Sequence, residues 1–128
     1  MIAVDTSSLI GFLSGDPKSE TPYLKKYLGE KVIFLPPVVL AELLSDPLIP
    51  TGIRSRIESL PLLTIKEGFW HRVGQLRASI LKHALKARIA DAMIAQCCID
   101  HHIPLITRDS DFKNFVKYGG LKLAVTLA

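Results

Sequence analysis

Short apolar runs alternate along the chain with longer stretches in which apolar positions recur every three or four residues. "MIAV" opens as a strand-like run halted by Asp5, and the hydroxyl residues of "TSSLIGFLSG" lead into Leu9, Ile10, Phe12 and Leu13, the spacing of a capped helix. "VIFL" at 32–35 is a second strand-like run. It stops at Pro36 and Pro37, and Pro37 suits the first turn of a helix over "PVVLAELLSD". "IPTGIRSRIESL" at 49–60 predicts a short amphipathic helix ended by Pro61, "LLTI" at 62–65 a third strand, and "GFWHRVGQLRASILKHAL" a longer helix. Another helix runs from Arg88 to His102 through "RIADAMIAQCCIDHH". "IPLIT" is then a strand of the buried type, "DFKNFVKYGG" a helical turn closed by glycine, and "LKLAVTLA" a last strand.

Strands that alternate with helices, several of them apolar throughout, predict an α/β fold: a parallel-stranded central sheet flanked by helices in three layers, α/β/α. The 128 residues, 48% of them hydrophobic, suit one domain spanning 1–128, and neither a repeat nor a linker divides them. No stretch approaches the length of a membrane span, and the N-terminal residues carry an acid where a signal peptide needs positive charge, so a soluble, cytoplasmic protein is expected. Cys97 and Cys98 are adjacent and cannot staple distant segments, which gives no sign of an oxidising compartment. The net charge of +4 leans towards polyanions, less than in a dedicated nucleic-acid binder.

Acids change this picture. In such folds the working site lies beyond the carboxyl ends of the strands, and Asp5 follows the first strand directly while Asp109 and Asp111 follow "LIT". Glu42 and Asp91 lie inside largely apolar helices, where a buried carboxylate needs a cation, hydrogen bonds or solvent. Glu42 is the more telling, because Val38, Val39, Leu40, Ala41, Leu43 and Leu44 leave its helix hardly any polar face and aim the acid into the fold. Each acid alone also has a plain structural role: Asp5 as a helix cap, Asp109 and Asp111 as an Asx turn, Asp91 as a first-turn acid favoured by the helix dipole. Together they predict an oxygen-only site for Mg²⁺ or Mn²⁺, whose typical chemistry is phosphoryl transfer. A basic surface makes phosphodiester hydrolysis the natural reaction.

"MIAVDTSSLI" with Asp5, "LAELL" with Glu42, "IADAMIA" with Asp91 and "LITRDSDF" with Asp109 resemble, in order, the four motifs of PIN-domain ribonucleases, over residue 1 to about 120. In size and in the wording "DTSSLI" and "TRDSDF" the sequence is similar to VapC-type toxins of type II toxin–antitoxin pairs. The resemblance implies Mg²⁺- or Mn²⁺-dependent endonucleolytic cleavage of RNA, homodimers, and a cognate antitoxin that blocks the site. It implies that Asp5, Glu42, Asp91 and Asp109 are the metal-binding and catalytic acids, Asp111 an outer ligand, and Thr6 and Thr107 hydroxyl supports beside them. Arg108, Arg88 and Lys86 are then expected to hold RNA phosphate. Two other functions fit the same motifs: a PIN nuclease of RNA maturation or decay without an antitoxin, and a catalytically silent PIN-fold binding module.

The remaining features have plainer readings. Cys97 with His101 and Cys98 with His102 are each four apart, but the two pairs point about a hundred degrees apart on a helix and cannot converge on one zinc ion. Arg54, Arg56, Arg72, Arg77, Lys82, Lys86 and Arg88 form a basic run that is either a solvated face or an RNA-contacting surface. Lys25 and Lys26 read as solvated charges, Phe69, Trp70 and Leu76 as core or dimer contacts, and Gly119 and Gly120 as a turn.

Overall fold

A computed structural model describes residues 1–15 and 21–124. In chain order the elements are β1 (Ile2–Val4), α1 (Thr6–Leu13), α2 (Thr21–Gly29), β2 (Ile33–Phe34), α3 (Pro37–Leu44), α4 (Thr51–Glu58), α5 (Phe69–Leu81), α6 (Ile89–His101), β3 (Leu105–Ile106), a 3-10 turn (Ser110–Phe112) and α7 (Lys113–Gly119). The three strands form a parallel sheet in the order β2-β1-β3, with Ala3 beside both Phe34 and Leu105. All its strands are short and apolar because both faces are covered: Ala3, Val4, Ile33, Leu105 and Ile106 are at most 1% exposed. The expected parallel sheet flanked by helices is what the chain builds. None of the helices among the described residues is long and apolar enough to cross a membrane.

Among the described residues, two expected strands appear as single bridges. Of "LLTI", only Leu62 pairs, in parallel with Leu35, through Leu35 N–H to the Pro61 carbonyl and Leu63 N–H to the Leu35 carbonyl, both 2.8 Å. Beyond it only Leu63 turns inward, and the Thr64 carbonyl meets His101 Nε2 at 2.8 Å instead of a neighbouring strand. At the opposite edge Leu123 bridges Leu105, and residues 125–128 of "LKLAVTLA" lie outside the described residues. Conversely, α2 is a helix the apolar pattern does not announce. Its spacing is carried by Leu24, fully buried, with Tyr27 and Leu28 partly buried beside it, while Lys25 and Lys26 are exposed as expected.

α6 runs through the centre of the molecule, buried from Asp91 to Cys98 except at Met93. It packs on α3, α5 and α7. It ends at His102, which adopts left-handed backbone (φ 54) and returns its N–H to the helix, in the position glycine usually takes. Both cysteines are buried in this core, where burial pushes the Cys97 thiol up to about 11 and the Cys98 thiol further, so both stay protonated as packing groups.

Candidate functional site

Asp5 leaves the carboxyl end of β1 and caps α1: its Oδ1 accepts from the Ser8 N–H at 3.0 Å. The capping group is thus the acid itself and not the hydroxyls that follow it. Its Oδ2 accepts from the Thr107 hydroxyl, at the end of β3, and from Ser7 Oγ at 3.3 Å. The two strand ends are joined further by Arg108 N–H to Ser8 Oγ, 3.1 Å, and the turn after β3 is closed by Asp109 N–H to Thr107 Oγ1, 3.0 Å. Thr107 therefore holds the carboxylate of one acid and the backbone of the next. Ser8, fully buried, has a positioning role that the sequence signalled only as one hydroxyl in a capping stretch.

Asp5, Thr6, Ser7, Glu42, Arg88, Asp91, Ile94 and Asp109 line one cleft of about 200 Å³. Glu42 is exposed, not buried as its apolar neighbours suggested: α3 buries Val39 and Leu43, which turns Glu42 outward to the cleft rim, where Thr6 donates to its Oε1 at 2.6 Å. Asp91 sits in the first turn of α6, where the dipole favours it. Asp109 Oδ1 accepts from the Asp111 N–H at 2.8 Å, an Asx turn that aims Oδ2 at Arg88. Carboxylate oxygens of Asp91, Asp109 and Asp111 lie within 4.8 Å of one another. Asp111 does not line the cleft and pairs with Lys86 Nζ at 3.0 Å. Arg108 lies instead against α1, where its guanidinium fills the space a side chain on Gly11 would need.

Burial raises the pKa of Asp5 despite its hydroxyl and amide partners, and it raises that of Asp91, with Arg88 opposing and Asp109 and Glu42 reinforcing. A carboxyl raised in the folded state stabilises fully below its unfolded value of 3.8, and that contribution is lost as pH rises through the folded value. Thermal unfolding without divalent ions should therefore show the contribution of Asp5 and Asp91 falling from acid towards neutral pH. Mn²⁺ at neutral pH should recover it. Asp100 runs the other way: burial works to raise it, but Arg72, Gln96 and His101 outweigh burial, so its contribution is lost as pH falls. An unfolding profile that Asp5→Asn leaves unchanged would refute the Asp5 assignment.

This donor set fits a hard divalent cation: oxygen ligands only, from four chain segments, with the buried Asp5 satisfied by hydroxyl and amide groups alone. The basic run, in contrast, is not one surface. Arg54 pairs with Glu58 at 2.8 Å, Arg72 bonds Asp100 through two nitrogens at 2.9 and 2.7 Å, and Arg77 donates to the Ala87 carbonyl at 2.7 Å. Only Lys86 and Arg88 of that run reach the acids. Phe69 and Leu76 belong to the core. Trp70 is 62% exposed and lines, with Pro37, Ala41, Met93 and Cys97, an apolar groove of about 270 Å³ that shares α3 and α6 with the cleft.

The family model described as PIN domain matches residues 2–118. Among curated proteins none matches the sequence. Similar solved structures include VapBC2 from Rickettsia felis bound to a DNA fragment from their promoter, with a TM-score of 0.74 and 22% identity over 96% of this chain and 97% of that one. FitAcB from Neisseria gonorrhoeae gives 0.71 and 21% over 96% of each chain. VapBC-5 from Mycobacterium tuberculosis, a member of the VapBC family of toxin-antitoxin systems, gives 0.67 and 20% over 97% of each. Likeness at such identity is one of fold.

Proposed function

This chain belongs to the PIN domain family, and on that premise we propose that its acidic cleft is the active site of a Mg²⁺- or Mn²⁺-dependent endoribonuclease, the toxin of a type II toxin–antitoxin pair. The observation that carries the reading is the convergence of Asp5, Glu42, Asp91 and Asp109, four residues far apart in sequence, on one cleft at the carboxyl end of a parallel sheet. Asp5, Asp91 and Asp109 would hold the cation, with Glu42 completing the set from the rim and Asp111 acting from outside the cleft. A bound divalent cation supplies Lewis-acid stabilisation and a water of lowered pKa. Thr107 fixes the oxygen of Asp5, and Thr6 fixes Glu42, so the ligands are oriented before RNA arrives. Arg88 and Lys86 meet the phosphate. Water attacks phosphorus in line and yields its proton to a cleft carboxylate, while the opposite P–O bond breaks and the leaving oxygen takes a proton from solvent, with no covalent enzyme intermediate.

Fold-level similarity to VapBC and FitAcB supports an antitoxin as partner, and the apolar groove with exposed Trp70 is consistent with a protein surface, an antitoxin or a second copy, covering this side. Purified protein incubated with total RNA and Mg²⁺, Mn²⁺ or EDTA is expected to give discrete fragments only with metal. Within that assay Asp109→Asn should reduce the rate by roughly a hundredfold or more, because it lines the cleft, and Asp111→Asn by about tenfold, because it supports from outside. Equal losses would reassign Asp111 as a direct ligand. No cleavage by the wild type, with no metal bound in calorimetry, would favour the silent binding module.

A further inference from the structure

Arg88 does something a phosphate-binding residue has no need to do. Its Nε lies 3.2 Å from Asp91 Oδ2 and a terminal nitrogen lies 3.4 Å from Asp109 Oδ2, so one guanidinium bridges two acids that arrive from α6 and from the end of β3. A divalent cation held by Asp91 and Asp109 takes lone pairs of the same carboxylates and is repelled by a guanidinium left among them. Metal and Arg88 therefore compete for the same pair. The side chain is built to yield: it is 58% exposed, and its backbone is fixed as the residue before α6 with no capping bond to lose. The turn that carries it is braced separately, by Arg77 Nε on the Ala87 carbonyl and by Asn114 Nδ2 on the Lys86 carbonyl at 3.2 Å. Only the side chain has to swing.

We propose that Arg88 is a tethered cation that occupies the Asp91–Asp109 pair until metal displaces it, and that the displaced guanidinium then turns outward to the RNA phosphate. The proposal rests on the reading of the cleft as a metal site. It assigns Arg88 two successive partners and makes the apparent metal affinity weaker than the acids alone would give. Lys86 pairs with Asp111, whose carboxylate lies within 4.8 Å of those of Asp91 and Asp109, but it does not bridge the Asp91–Asp109 pair as Arg88 does.

Calorimetric titration of the full chain with Mn²⁺ tests it, with Arg88→Gln as the uncharged variant, Arg88→Lys as the conservative one and Asp109→Asn as the control. Thermal melting without metal checks that each variant is folded. Arg88→Gln is expected to bind Mn²⁺ up to about tenfold more tightly, with Arg88→Lys close to the wild type. Anisotropy of a labelled RNA in saturating Ca²⁺ should move the opposite way, weaker for Arg88→Gln and restored in Arg88→Lys. Mn²⁺ affinity unchanged or weaker in Arg88→Gln, while Asp109→Asn abolishes binding, overturns the competition and leaves the metal site standing. Absence of Mn²⁺ binding in the wild type and in Arg88→Gln alike overturns both.

Discussion

Asp5→Asn is expected to reduce metal-dependent RNA cleavage by at least about a thousandfold, roughly 4 kcal/mol of transition-state stabilisation, while leaving the fold intact. Asn keeps an oxygen for the Ser8 amide that caps α1. Its amide nitrogen replaces Oδ2, and the hydroxyls of Thr107 and Ser7 can turn to accept where they now donate. The variant removes a buried charge that burial already disfavours, so its melting temperature without metal should equal or exceed that of the wild type at neutral pH. Asp5→Ala provides the contrast. It loses the cap as well and should be destabilised by about 2 kcal/mol. The pair of variants separates ligand from cap: inactive with a normal melting temperature for Asn, inactive and destabilised for Ala. Cleavage by Asp5→Asn within tenfold of the wild type would remove Asp5 from the catalytic set.

The largest effect on stability is expected at Phe115. Its ring is fully buried and meets that of Phe112 at 5.7 Å between centroids, and α7 packs against α5, α6 and the 3-10 turn. Truncation to Ala should cost about 3–5 kcal/mol, since this well-packed site has little freedom to collapse. Against a total of roughly 5–15 kcal/mol that is a large share. Urea denaturation should show a lower midpoint with an unchanged slope. The adjacent Val116, 39% exposed, should lose less than about 1 kcal/mol as Ala and serves as the control. Phe112 closes the turn that begins at Asp109, so the remaining folded Phe115→Ala should also cleave more slowly than its folded fraction accounts for. A loss below about 1 kcal/mol would mean that α7 is not part of the cooperative core.

Strands and helices with strong, uninterrupted apolar patterns were legible from the chain: β1, β2, β3, α1, α3, α5 and α6 all appear where the pattern puts them. What was not legible depends on tertiary packing. "LLTI" has the composition of a strand, but its pairing stops after Leu62 because the Thr64 carbonyl is engaged by a side chain of α6. α2 carries too few apolar residues to stand out and is fixed by burying Leu24. Among the acids, the meeting of Asp5 and Asp109 followed from where strands end, whereas the outward aim of Glu42 depended on which face of α3 the core takes. The fate of the basic residues was least legible. Whether an arginine meets RNA or ties two helices together is decided by partners such as Asp100 and the Ala87 carbonyl, far away in sequence or hidden in the backbone.

The bond from Thr107 to Asp5 spans 102 positions of the chain. Synthesis runs from the N-terminus at about 5–20 residues per second, and non-local pairings of this kind form late. A nascent chain that has reached residue 100 holds Asp5, Glu42 and Asp91 but has neither the hydroxyl that fixes Asp5 nor Asp109 to close the cleft. On the proposed reading, a nascent fragment that ends before Thr107 lacks a finished cleft, so RNA cleavage requires synthesis to have passed Asp109.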